Sequence, residues 1–116
     1  MLGLHPTAEP LPFEINLDLN GVTRSKELDV FLQRNLFGLN EMLDTQSLSC
    51  SVFIDRTQHT LDQHSLFSVH FELVTPDYSL VVNRVCSEDL YVAMRGAIDA
   101  LKNQAKEEAL KRKRFK

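Results

Sequence analysis

Arg95, Lys102, Lys106 and Lys113 recur at i, i+7, i+11 and i+18, a spacing that keeps four cations on one helix face. Lys111, Arg112 and Arg114 continue the run, with Lys116 beyond. Cations in such a stripe neutralise phosphates, and release of the displaced counterions makes polyanion binding steeply salt-dependent. The competing reading is a solvated helix end, where the negative end of the helix dipole favours cations. Asp99 interrupts the stripe. Arg24, Lys26, Arg34 and Arg84 form a second, scattered set of candidates for the same chemistry.

Other constellations carry less. His59, Asp62, His64 and His70 match no zinc-ligand spacing, so they read as turn and surface residues and no metal is expected. Cys50 and Cys86 have no neighbouring base or cation to activate them and read as buried or half-buried thiols of a reducing compartment. There is no phosphate-cradling glycine loop, no G-x-S-x-G elbow and no H-E-x-x-H pair. The adjacent carboxylates Glu88-Asp89 and Glu107-Glu108 do not make an acid/base dyad without burial. The sequence thus points away from an enzyme and implies no cofactor.

The chain has 116 residues, 43% hydrophobic and 25% charged, which suits one soluble domain and excludes low-complexity disorder and a disulfide scaffold. No apolar run approaches a membrane span and no signal peptide is evident, so a cytoplasmic protein is expected. The net charge of −3 conceals a division: residues 1–101 carry six basic and fourteen acidic side chains, residues 102–116 seven basic and two acidic. An acidic body with a basic end is unlike a uniformly basic nucleic-acid binder, although such an end serves as an interaction tail.

Hydrophobic periodicity gives the elements that would position these residues. Residues 1–12 hold three of the four prolines and read as an irregular arm. Phe13, Ile15, Leu17 and Leu19 alternate with polar residues in a half-buried strand ended by Asn20-Gly21. Ser25 is a candidate N-cap, followed by Leu28, Phe31, Leu32, Leu36, Leu39, Met42 and Leu43 in one amphipathic helix to about Asp44. Leu48 to Ile54 and Phe67 to Leu73 form two strands around a polar hairpin loop, Arg56 to Ser65. Thr75-Pro76-Asp77 turns into a last strand, Tyr78 to about Cys86, whose two apolar faces call for a bulge or cover on both sides. Ser87-Glu88-Asp89 opens a long helix with core positions Tyr91, Met94, Ile98, Leu101 and Ala105, running into the basic end. The expected fold is α+β: a single β-α-β-β-β-α domain over residues 13–110, with a four-stranded mixed sheet and both helices packed on one face. Residues 111–116 form the tail. Glu14, Asp18, Asp55, His70 and Glu72 should face water on the other side.

The run Glu88-Asp89-Leu90-Tyr91-Val92-Ala93-Met94-Arg95-Gly96-Ala97-Ile98-Asp99 resembles the "(E/Q)DMYAAIDxLIDKL" signature of the ribosome hibernation promoting factors. That family includes the ribosome-associated inhibitor protein Y and carries the older name sigma-54 modulation proteins. Gln58-His59-Thr60-Leu61-Asp62 is similar to the "THTSD"-like turn of its short members, and the first helix aligns around Leu28, Phe31, Leu36 and Leu39. The resemblance spans about residues 13–112 and implies a non-enzymatic protein. Such a protein docks in the tRNA and mRNA channel of the small ribosomal subunit and blocks translation when growth stops. Its partner would be rRNA phosphate, met by the cations named above, with neither DNA nor membrane involved.

Several positions depart from the family pattern. Its basic residues fall here on Asn35 and Gly38 in the first helix and on Ala100 and Asn103 in the last, while the signature aspartate is Arg95. Arg34 and Lys102 are left as partial replacements. A diverged protein-interaction module is therefore the alternative. Val30 and Phe37, at i and i+7 opposite the leucine stripe, would be its partner surface or a site of weak self-association through the first helix. Removing residues 111–116 takes away charge but little apolar core, so it should weaken RNA binding with little effect on stability.

Overall fold

Alternation of Phe13–Leu19 produces the first strand of the computed structural model, which describes residues 13–45, 47–58 and 65–114. The order is β1 (Glu14–Asn20), α1 (Lys26–Leu36), α2 (Leu39–Met42), β2 (Ser49–Gln58), β3 (Ser65–Val74), β4 (Ser79–Ser87) and α3 (Leu90–Arg114). The fold is α+β. The sheet runs β1-β2-β3-β4, with β1 parallel to β2 and the other pairs antiparallel. The parallel pair follows from the helical crossover between β1 and β2, and short connections make the remaining strands a meander.

One face of the sheet carries the core. Cys50, Val52 and Ile54 of β2, Val69, Phe71 and Leu73 of β3 and Val82 of β4 are buried against Leu28, Leu32, Leu36 and Leu39. Ala93, Met94, Ala97, Ile98, Leu101 and Ala105 cover them from α3. Small residues on α3 allow close approach: a Cβ at Gly96 would lie 3.0 Å from Val85 Cγ1. The helix-free face shows Glu14, Asp18 and Glu72 to solvent, with Asp55 and His70 half-buried.

The single long helix expected over Ser25–Asp44 is two pieces. Ser25 does cap its start, Oγ accepting from the Leu28 N–H at 3.1 Å. The chain then leaves the helix at Phe37 (φ −60°, ψ 133°), and Gly38 takes φ 83° before α2 begins. Asn35 Nδ2 donates to the Phe31 carbonyl at 2.8 Å inside that last turn. Leu39 and Leu43 still reach the core, so the apolar spacing runs through the break without a change of phase.

The remaining departures are local. The expected 56–65 loop is shorter, because β2 runs to Gln58 and β3 starts at Ser65. Arg56 holds that extension together: its guanidinium donates to Ser65 Oγ at 2.9 and 3.0 Å and lies 6.0 Å from the Phe67 ring centre. The ambiguous last strand carries a bulge. Val69 pairs with Val85 but Phe71 with Val82, so Asn83 and Arg84 together oppose His70. The extra residue puts both Val82 and Val85 toward the core. The turn at Thr75 forms as expected, Oγ1 accepting from the Tyr78 N–H at 3.1 Å.

Candidate nucleic-acid interface

Two helix starts position the cations. Ser25 fixes the first turn of α1, and Asp89 Oδ1 accepts from the Tyr91 and Val92 N–H groups at 2.9 and 3.2 Å to fix that of α3. Their N-terminal halves meet through Phe31 and Tyr91, ring centres 5.1 Å apart in an edge-on pair at 67°. Above this contact lies an open groove of about 810 Å³, lined by Lys26, Glu27, Val30, Phe31, Arg34 and Asn35 of α1 and Tyr91 and Arg95 of α3. The Arg95 guanidinium lies 5.5 Å from the Phe31 ring centre. A ring face attracts a cation at that range, which orients Arg95 before any ligand arrives.

Three of the sequence-selected cations, Lys26, Arg34 and Arg95, therefore share one groove. Lys102 is half-buried farther along α3, while Lys106 and Lys111 are exposed. Lys113 and Arg114 continue the helical backbone. Arg24 is elsewhere, its Nε 3.1 Å from Asp29 Oδ1 in a small cleft between β1 and α1. Arg84 is exposed in the β4 bulge and does not line the groove.

Arg112 is a structural cation. Its Nε lies 3.2 Å from Glu108 Oε2, its Nη1 3.9 Å from Asp77 Oδ2, and its guanidinium 4.0 Å from the Tyr78 ring centre. These contacts tie the end of α3 to the β3–β4 turn, so removal of residues 111–116 takes more than solvated charge. Tyr78 sits beneath with a buried hydroxyl that has no hydrogen-bond partner among the described residues. Burial pushes its phenol up, aided by Glu108 and Asp77 and opposed by Arg112.

The other sequence candidates separate. His59, Asp62 and His64 lie outside the described residues. His70 packs on Phe53 with ring centres 5.4 Å apart, its Nε2 3.6 Å from Glu72 Oε1. Among the described residues no three His, Cys, Asp or Glu side chains converge on a metal position. Cys50 is fully buried, and desolvation pushes its thiol up to about 12. Cys86 is exposed rather than half-buried, since the bulge turns it to the helix-free face opposite Ser68.

Val30 and Phe37 do not form the common face expected of them. Their i, i+7 relation needed a continuous helix, and α1 ends between them. Val30 is half-buried in the groove, whereas Phe37 is 56% exposed at the break. Spacing puts both Phe31 and Tyr91 on the core side; Phe31 does pack against the core, partly buried, whereas Tyr91 does not. Tyr91 is 37% exposed. The available signal was its position one turn before Arg95.

No protein-family model matches this sequence, and no curated protein is similar to it. A solved structure is similar: the N-terminal domain of Thermus thermophilus Protein Y aligns with a TM-score of 0.61 at 19% sequence identity. The alignment covers 82% of this chain and 96% of that domain. The chain has the fold of the Protein Y N-terminal domain. That is the fold implied by the α3 signature. Within this fold Asn35 stands in the last turn of α1, bonded to the Phe31 carbonyl, and Gly38 follows the helix in the left-handed region. Ala100 packs against the core of that shared fold.

No helix among the described residues is long and apolar enough to cross a membrane.

Proposed function

We propose that this chain is a ribosome-binding translation inhibitor of the hibernation-factor type, docking in the tRNA and mRNA channel of the small subunit. The observation that carries the reading is the convergence of Lys26, Arg34 and Arg95 from two helices at one groove, on a fold shared with a Protein Y domain. The groove cations and the basic run of α3 neutralise rRNA phosphates, while the folded body fills space that tRNA needs. Chemistry on a bound substrate plays no part, and the site of action is the cytoplasm.

Charge sets the orientation. Glu14, Asp18, Asp55 and Glu72 on the helix-free face repel phosphate, so the helix side turns toward RNA. The C-terminal cations Lys106, Lys111, Lys113 and Arg114 offset the family charges absent at Asn35, Gly38, Ala100 and Asn103.

Sedimentation with purified small subunits tests the proposal. The protein should pellet with subunits at low salt, be released as salt rises, and compete with tRNA. Absence from the pellet at low salt would reject it in favour of a protein-interaction module, with the exposed Phe37 as the first surface to mutate.

A further inference from the structure

Tyr91 stands in the first turn of α3 with more than a third of its surface open, inside a groove rimmed by Lys26, Arg34 and Arg95. Phosphate binding alone has no use for an exposed aromatic ring between cations. An unpaired base has, because every base offers a π-face that stacks on an aromatic side chain while cations on either side hold the backbone. Phe31 meets Tyr91 edge-on and carries Arg95 over its own ring, so the aromatic floor and one cation are already set in place. Among the described residues that line the groove, Glu27 is the one carboxylate, set beside Lys26 and Arg95.

We infer that this groove takes one unpaired nucleobase against Tyr91, with its flanking phosphates on Lys26 and Arg95, and so selects single-stranded over duplex RNA. The inference deepens the ribosome reading and rests on it for the source of the base. A duplex keeps its bases stacked inside and offers the groove only phosphates, so Tyr91 contributes nothing to duplex binding.

The test uses the full chain and a dye-labelled RNA of about a dozen nucleotides, a length within the usual single-strand site range. Anisotropy is read for the single strand and for the same strand annealed to its complement. The wild type should prefer the single strand. Tyr91→Leu should weaken single-strand binding about tenfold, within the span of measured base stacking, and leave duplex binding unchanged. Tyr91→Phe, which keeps the ring, should stay within about twofold of wild type on the same stacking argument. Melting by circular dichroism checks that both variants are folded.

Equal binding of single strand and duplex, binding to neither, or a Tyr91→Leu variant indistinguishable from wild type would overturn the inference. Displacement of the strand by free AMP at an equal nucleotide concentration would also overturn it, by making the free nucleotide the ligand. Sedimentation of the wild type with small subunits is scored separately. If it fails while the oligonucleotide result holds, the ribosome reading falls and the base site stands. The reverse pattern removes the base site alone.

Discussion

Cys50 lies near the start of β2 with no exposed surface, and burial pushes its thiol from 9.0 up to about 12. The sign of the resulting pH effect is fixed by linkage. Above about pH 9 the unfolded chain releases this proton while the native chain keeps it, so stability falls as pH rises. The contribution is fully present below pH 9 and declines by about 1.4 kcal/mol per pH unit until the native thiol itself ionises. Denaturant melts of wild type and Cys50→Ala from pH 8 to pH 10.5 should show a steeper alkaline loss for wild type. Parallel curves would mean that the thiol titrates normally. The sequence located Cys50 on the core side correctly because β2 alternates without interruption. Cys86 was misplaced because its face depends on a bulge, and only the pairing with β3 reveals which residue is the extra one.

At the scale of elements, the break between α1 and α2 depends on Gly38. A Cβ there would meet nothing within 4 Å, so the cost of Gly38→Ala is the left-handed backbone alone, about 1–2 kcal/mol. Chemical denaturation should show that loss, with Gly38→Asn costing less because asparagine tolerates this region better. No change in Gly38→Ala would contradict the strained break. The break was hard to read because Leu36, Leu39 and Leu43 keep helical spacing across it. Gly38 itself was the sequence signal, being a residue that commonly ends helices. The end of α3, beside α2, turns on Arg112. Its exposed ion pairs are worth little, but its stacking on Tyr78 adds about 0.5–1 kcal/mol. Truncation after Leu110 should therefore lower stability by about that amount, and truncation after Arg112 should not. Equal melting temperatures for the two truncations would show that the contact contributes nothing.

Over the whole molecule, charge is divided between faces as well as along the chain. The helix side carries Lys26, Arg34, Arg95, Lys102, Lys106 and Lys111 interspersed with Glu27, Asp99 and Glu107, and the open sheet face carries Glu14, Asp18, Asp55 and Glu72. The sequence showed the difference between body and tail, and the α3 stripe, directly from spacing. It did not show the groove, because joining Lys26 to Arg95 requires knowing that the first turns of α1 and α3 lie side by side. The central claim is that these groove cations meet rRNA phosphates, and a salt titration of small-subunit binding tests it most directly. Each phosphate contact contributes roughly 0.7–0.9 to the slope of log K against log salt. The Lys26→Ala, Arg95→Ala double variant should bind more weakly, with a slope shallower by about 1.4–1.8 than wild type. An unchanged affinity and slope in a folded double variant would contradict the account and place the contact surface elsewhere.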